Sequence, residues 1–151
     1  MRMSPRARAI LVVLSLLLAA APARQGLPAG GAGPIEHREF FERLASLPPI
    51  MRDGFLDEQV NRLLNGTGHV VSVDELPRYN RGVRIIATES ATSSMNITYY
   101  IFTDQRSFLT SLKKNDAFAF SGLFKVYTPL SSRRDSYLFD VVLVEGAPVR
   151  R

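Results

Sequence analysis

The chain has 151 residues, of which 46% are hydrophobic, and it contains no cysteine. The absence of cysteine excludes disulfide bonds, cysteine-ligated zinc, a thiol nucleophile and an amino-terminal lipid anchor of the bacterial type. The formal charge of +5 comes from 19 Lys and Arg against 14 Asp and Glu. Three of the basic residues lie in the amino-terminal segment considered next, which leaves 16 basic and 14 acidic residues. The resulting +2 does not by itself indicate a polyanionic partner.

The amino-terminal segment has the features of a secretory signal peptide. Arg2, Arg6 and Arg8 precede an apolar run at 10–18, and small residues then lead to Ala23. We predict cleavage after Ala23. The apolar run is about a dozen residues at most, shorter than the ~20 that span a bilayer, and no later segment is longer. The sequence therefore predicts an exported bacterial protein, periplasmic or secreted, with no transmembrane segment in its mature chain.

Two amphipathic helices are predicted after a Gly- and Pro-rich stretch that we expect to form a flexible leader. The first covers 35–47, where apolar residues recur at helical spacing, and the prolines at 48–49 are expected to end it. The second is predicted over 54–64, stopped by the Asn-Gly pair that follows. Phe40 and Phe41 are adjacent, so either both belong to a wide core-facing stripe or one of them is available to a partner.

The pattern then changes from helical spacing to the alternation of β-strands, with many β-branched and aromatic residues. A short helix is expected between the third and fourth strands, capped by Asp104, with Phe108, Leu109 and Leu112 on one face. Gly122 lies in the apolar row of the fourth strand and marks a bulge or bend. The fifth strand is apolar on both faces, so we expect it to be covered on both sides. The five predicted strands are 67–73, 83–88, 96–102, 117–127 and 137–144.

This order of elements resembles the OB-fold, a five-stranded Greek-key barrel with a helix between its third and fourth strands. The resemblance is to OB-fold domains of the tRNA-anticodon-binding-like superfamily. It is carried by GTGHVVSV at 66–73, NITYYIF at 96–102 and LKKNDAFAFSGLF at 112–124. Asn115 stands where that pattern usually has glycine, a mild change because asparagine tolerates the left-handed conformation. The resemblance covers 66–146. It implies binding across the second and third strands, between the loops that follow the first and fourth strands, and carries no catalytic residues.

The expected fold class is mainly β with α: a five-stranded OB-fold-like Greek-key barrel, in β-β-β-α-β-β order, preceded by two short amphipathic helices. These helices lie outside the resemblance, and we expect them either to close one end of the barrel or to present a docking surface. The predicted segments are a signal peptide at 1–23, a flexible leader at 24–34, a helical segment at 35–65, the barrel at 66–146 and a tail at 147–151.

The two loops that flank the OB-fold binding surface hold the densest positive charge of the mature chain. Arginine suits phosphate or carboxylate groups, and tyrosine faces suit bases or sugars. If the loops converge, they form one basic mouth with aromatic edges. The alternative is ordinary solvated charge, since Asp74, Glu75 and Asp135 lie close enough to neutralise part of it. The candidate ligand-binding residues are Arg78, Tyr79, Arg81, Arg84, Tyr127, Arg133, Arg134 and Tyr137.

Signals for catalysis or metal binding are weak throughout the chain. His37 and His69 have no third ligand at an evident spacing, so each is expected to be structural. Ser111 and Lys114 match S-x-x-K, but the companion motifs of that enzyme class are missing. Asp140 has its nearest acidic neighbour along the strand on the opposite face. We therefore expect no catalytic residues, no metal site and no cofactor.

These observations favour an exported, non-enzymatic OB-fold binding module that engages an anionic ligand or a protein partner through its loop cluster. The alternative is a structural or assembly protein of the cell envelope that acts through the amino-terminal helices or a sheet edge. Nucleic acid is a ligand by fold analogy only, and export disfavours it. Acidic glycans, phosphorylated envelope components or an acidic protein patch suit the expected location better.

Overall fold

The computed structural model describes residues 33–77, 81–92 and 94–148. The predicted signal peptide, most of the predicted leader and residues 149–151 of the predicted tail lie outside these ranges. Within them, no helix is both long enough and apolar enough to cross a membrane.

Two helices precede the barrel, as predicted, but the second differs in position. α1 spans His37–Ser46 and α2 spans Pro49–Asp57. The second helix predicted at 54–64 is therefore wrong at both ends. Pro49 begins α2 because the first helical position needs no backbone N–H donor. Leu64 is fully buried and belongs to a strand, where it forms part of the barrel core.

Five β-strands follow, at the five predicted positions and with longer bounds. They are β1 Leu63–Glu75, β2 Val83–Thr92, β3 Met95–Thr103, β4 Ala117–Pro129 and β5 Ser136–Pro148. They close into a barrel in the order β1-β2-β3-β5-β4. β3 and β5 are parallel, and the other neighbouring pairs are antiparallel. With one helical turn between β3 and β4, this is the topology of the OB-fold, so the predicted fold class is confirmed.

The helix between β3 and β4, α3, is a single turn spanning Phe108–Ser111. Asp104 does not cap it as predicted, because the helix begins four residues after Asp104, beyond the reach of a capping side chain. The Asp104 carboxylate instead accepts a hydrogen bond from Arg81 Nη1 at 3.3 Å. Of the three residues predicted to share a face, Phe108 and Leu112 are buried and attach the turn to the core, whereas Leu109 is only partly buried.

Special backbone geometry occurs at two positions that the sequence singled out. The register between β4 and β5 shifts between Ser121 and Gly122, which confirms the bulge predicted at that glycine. A Cβ atom at Gly122 would overlap the Val141 side chain and lie 2.9 Å from the carbonyl oxygen of Val142. Asn115 has a φ of 72°, the left-handed conformation that explains why the related pattern has glycine there.

Aromatic side chains fill the barrel, and α1 closes one end of it. The Phe139 ring lies 4.7 Å from the Phe124 ring, and Phe40 and Phe41 of α1 pack against Phe139 at 6.2 and 6.4 Å between centroids. Both α1 rings are at most 4% exposed, so they share a wide core-facing stripe. The outward face of β5 is not fully covered, contrary to expectation, since Val144 on that face is 65% exposed. The helices do not shield it there.

Candidate binding face

The two loops predicted to form one mouth lie at opposite ends of β3. The β1–β2 loop ends at Val83, which pairs with Thr103 at the carboxyl end of β3. The β4–β5 loop, residues 130–135, meets the other end, where the Asn96 N–H donates to the Asp135 carbonyl at 2.9 Å. The seven residue steps from Asn96 to Thr103 span ~23 Å at ~3.3 Å per residue. The single converged mouth is therefore a wrong prediction, because the parallel β3–β5 pairing places the β4–β5 loop beside the start of β3.

The described arginines at the β1–β2 loop are held by carboxylates. Arg81 Nη1 donates to the Asp104 carboxylate, as described above. Arg84 Nη2 donates to Asp74 Oδ2 at 3.0 Å, and the Arg84 guanidinium lies 5.0 Å from the centroid of the Tyr100 ring. Much of the predicted free charge at this loop is thus neutralised within the fold. Two candidate residues of this loop lie outside the described residues: Arg78 and Tyr79.

The β4–β5 loop is fastened to α2 through Arg134. Arg134 Nε donates to Asp53 Oδ2 at 3.0 Å, and the Arg134 carbonyl accepts a hydrogen bond from Arg52 Nη1 at 2.6 Å. Arg134 also has a φ of 57°, an uncommon conformation for a non-glycine residue. These contacts give Arg134 a structural role. Its neighbour Arg133 is exposed at the surface of the loop.

The two tyrosines predicted to edge the mouth pack against α2 and the core. The Tyr127 hydroxyl lies 3.0 Å from the Asp53 carbonyl and 2.9 Å from Asp57 Oδ1. Tyr137 is 0% exposed, with its hydroxyl 3.5 Å from Asp53 Oδ1. Burial, reinforced by the neighbouring carboxylates, raises the pKa of each tyrosine to about 12. Tyr137 therefore belongs to the core and not to a ligand-facing edge, because it occupies an inward position of β5.

A different surface lies between the loops, on the outward side of β2 and β3. Arg84 pairs with Phe102 across the two strands, and Ile86 pairs with Tyr100. All four side chains are partly exposed. We call this surface the β2–β3 face; it is formed by Arg84, Ile86, Tyr100 and Phe102.

The β2–β3 face could have been recognised from strand alternation. Tyr99 and Ile101 are fully buried, so Tyr100 and Phe102 must point outward. The prediction instead concentrated on charged loops and placed only Arg84 of these four residues in the site. The third strand has aromatic residues on both of its alternating faces, which indicates that some of them point outward.

The charge of the β2–β3 face is mixed. Arg84 contributes a guanidinium, and its partner Asp74 contributes a carboxylate. Asp140 of β5 lies beside Tyr100 in the parallel register. Burial raises the pKa of Asp140, and its Oδ1 atom is buried with no hydrogen-bond partner among the described residues. The face thus combines aromatic surface with one arginine fork, without a large positive field.

The histidines do not come together at a metal site. His37 Nε2 lies 2.5 Å from Glu89 Oε2, at the end of the barrel closed by α1. His69 is an exposed residue of β1. In the portion of the chain that the structure describes, no group of three His, Cys, Asp or Glu side chains is arranged to hold a metal ion.

Comparison with known proteins finds similarity only among solved structures. No protein-family model matches the chain, and no curated protein matches it. A putative aspartyl-tRNA synthetase from Leishmania major Friedlin is 11% identical with a TM-score of 0.45; the match covers 87% of this chain but only 23% of that one. An OBody bound to hen egg-white lysozyme is 9% identical with a TM-score of 0.39, covering 72% of this chain and 92% of that one. A small single-stranded DNA-binding protein from Streptomyces coelicolor is 15% identical with a TM-score of 0.38, covering 58% and 94%. We assign the fold from the strand order given above.

Proposed function

We propose that this chain is an exported, non-enzymatic OB-fold module that binds an anionic ligand or a protein partner across the β2–β3 face. One observation carries the proposal: Tyr100 and Phe102 point outward from β3, beside Arg84, at the surface that OB-folds use for binding. Aromatic rings and an arginine fork are the groups that dominate binding surfaces. The loops at the two ends of β3 form the rims of this face, with Arg81 at one end and Arg133 at the other.

A binding role also agrees with the small number of groups suited to catalysis. Among the described residues, the carboxylates near the face are engaged by arginine, as in Asp74 with Arg84, or lie beside apolar neighbours, as with Asp140. Ser111 of the S-x-x-K sequence is exposed on α3, at the surface of the described chain. We therefore propose no catalytic residue.

The proposed face can be tested with the purified mature chain and a panel of labelled probes: a single-stranded oligothymidylate, a heparin oligosaccharide and a glutamate-rich peptide. We expect at least one probe to raise the fluorescence anisotropy, and Arg84→Ala and Tyr100→Ala each to weaken that binding about tenfold, or ~1.4 kcal/mol. Lys125→Ala, an exposed substitution on β4, is the matched control and should leave affinity unchanged. Absence of binding to every probe would overturn the anionic-ligand half of the proposal, and equal loss in the control would overturn the assignment to the β2–β3 face.

Export is a separate part of the proposal and has its own test. The arginine-flanked apolar run and the small residues before Ala23 support it. We expect the full chain, produced in a bacterial host, to be recovered outside the cytoplasm, with Arg24 as its first residue on amino-terminal sequencing. Recovery of uncleaved chain in the cytoplasm would refute export without bearing on the β2–β3 face.

The second candidate function is a structural or assembly role through the helical segment. Ile50 and Met51 of α2 are 91% and 58% exposed, which favours this alternative. A role through a sheet edge is disfavoured because the five described strands form a closed barrel. A photo-cross-linking residue placed at position 50 or at position 102 in cells distinguishes the candidates. Capture at 102 supports the β2–β3 face, and capture at 50 alone supports the assembly role.

A further inference from the structure

A cleft opens where β1 separates from β2. The β1–β2 pairing stops at His69, which lies opposite Thr88, and the earlier half of β1 pairs with β4 from Leu63 to His69. The space between the diverging strands is about 690 Å³, within the ~300–1,000 Å³ range of small-molecule sites. Gly68 lies next to the last paired residue of β1. The two strands are still close there, because a Cβ atom at Gly68 would lie 3.1 Å from the Thr88 carbonyl oxygen.

One side of the cleft is built around a fixed carboxylate, that of Glu89. Glu89 Oε1 accepts a hydrogen bond from the Thr67 hydroxyl at 3.1 Å. Glu89 Oε2 accepts one from the Tyr99 hydroxyl at 3.2 Å and contacts His37 Nε2 at 2.5 Å. The Glu89 side chain is only 16% exposed. Three partners from three different elements therefore hold this carboxylate in one orientation, as a binding group requires.

The remaining wall mixes hydrogen-bonding groups with apolar surface from Ile97 and Phe118. Thr88, Ser90 and Thr98 contribute hydroxyl groups and Asn96 contributes an amide, while Ala117 adds apolar surface. Hydroxyl and amide groups donate and accept hydrogen bonds, as the hydroxyls of a sugar ring do. Neither lysine nor arginine lines the cleft in the described chain, although the His69 imidazole does. The Glu89 carboxylate, already in contact with His37, would repel an anion placed there.

We propose that this cleft binds an uncharged, hydroxyl-rich ligand, a neutral saccharide of a few rings. Ligand hydroxyls donate to the remaining acceptor positions of Glu89 and exchange hydrogen bonds with Thr88 and Asn96. The site lies on the same two strands as the β2–β3 face but toward their opposite end, and it uses neither Tyr100 nor Arg84. The inference therefore does not depend on the proposed function of that face.

The test compares three trisaccharides that differ in charge: neutral cellotriose, anionic trigalacturonate and the cationic glucosamine trimer. Each is titrated into the 15N-labelled mature chain, and amide shifts are followed by NMR. We expect cellotriose to shift amides around Thr88 and Asn96 with a dissociation constant of millimolar order or below, and trigalacturonate to cause no such shifts. Preferential binding of the cationic trimer would overturn the neutral-ligand assignment. No shift with cellotriose up to ~10 mM would overturn the site itself.

Two substitutions locate the binding. Thr88→Val keeps the shape of an exposed strand residue and removes its hydroxyl, and we expect it to weaken cellotriose binding at least about fivefold. Thr128→Val, at an exposed position of β4, is the matched control. Glu89→Gln should weaken binding further, but Thr88→Val remains informative if Glu89→Gln disturbs the packing of α1. Tyr100→Ala should leave cellotriose binding unchanged, so failure of one site does not imply failure of the other. Unchanged affinity in Thr88→Val would refute the proposed site.

Discussion

Replacement of Tyr137 by alanine tests whether this residue belongs to the core or to a binding surface. Tyr137 is 0% exposed, and its ring lies 6.1 Å from the ring of Phe139 and 6.4 Å from that of Tyr127. Removing a buried aromatic side chain of this size costs ~3–5 kcal/mol through lost burial and the cavity left behind. A folded part of roughly 115 residues has an unfolding entropy of ~2.1 cal/mol/K per residue, so this loss of stability should lower the melting temperature by about 12 to 20 °C.

Two control variants make the Tyr137 experiment specific. Tyr137→Phe removes only a hydroxyl 3.5 Å from Asp53 Oδ1, a long contact, and should cost less than ~1 kcal/mol. Tyr100→Ala removes a partly exposed ring from the β2–β3 face and should also cost about 1 kcal/mol or less. Urea unfolding followed by circular dichroism measures the free energy of unfolding of all three variants. Tyrosine fluorescence is a second probe because the chain has no tryptophan. A loss of stability in Tyr137→Ala no greater than that in Tyr100→Ala would refute the assignment of Tyr137 to the core.

Three further predictions concern backbone geometry and tyrosine ionisation. Gly122→Ala should destabilise the protein by at least ~2 kcal/mol because the added Cβ would meet Val141 and Val142. Gly54→Ala in α2, where a Cβ has nothing within 4 Å, should instead stabilise the protein by ~0.5–1 kcal/mol. A thermal unfolding experiment that ranks the two variants otherwise would contradict this packing. At Asn115, with φ 72°, valine should cost ~1–2 kcal/mol more than glycine, and equal melting temperatures for the two variants would count against a left-handed backbone. Burial raises the pKa of Tyr127 and Tyr137 to about 12 and that of Tyr99 well above its usual value, so absorbance at 295 nm should show all three un-ionised at pH 11 in the folded protein. Because the folded pKa values of these three tyrosines exceed the unfolded value near 10, their contribution to stability is complete below pH 10 and is lost as the pH rises through the folded pKa values. Ionisation of all five tyrosines together near pH 10 would disprove the raised pKa values.

Local patterns along the chain were sufficient to predict the barrel and its special positions. The alternation of apolar residues located all five strands, and the glycine at 122 and the asparagine at 115 indicated the bulge and the left-handed turn that the structure contains. These features depend on residues close in sequence, which is why they could be predicted. The second helix was misplaced because Leu63 and Leu64 fit a helical stripe as well as a strand, and only the pairing of Leu64 with Gly122 decides between them.

The candidate site was harder to predict because it depends on which strand ends meet. The sequence identified the β1–β2 and β4–β5 loops as basic, but the parallel pairing of β3 with β5 places them at opposite ends of β3. Likewise, the sequence could not show that Arg134 pairs with Asp53, 81 positions away. The outward positions of Tyr100 and Phe102 could have been predicted from the alternation of residues along a strand. The hydrogen-bond network of Glu89 could not, because its partners come from α1, β1 and β3.

The closed order of the strands also determines when the chain can finish folding. Half of β1 pairs with β4, joining Leu63 to Leu123 across about sixty intervening positions, and β5 must enter between β3 and β4 before the ring is complete. A ribosome must therefore synthesise the chain as far as Leu123 before β1 obtains its second neighbour, and β5 as well before the ring can close. Such distant pairings slow folding relative to proteins with mainly local contacts. Slow closure would keep the newly made polypeptide unfolded for longer, with the apolar residues of its future core exposed to solvent.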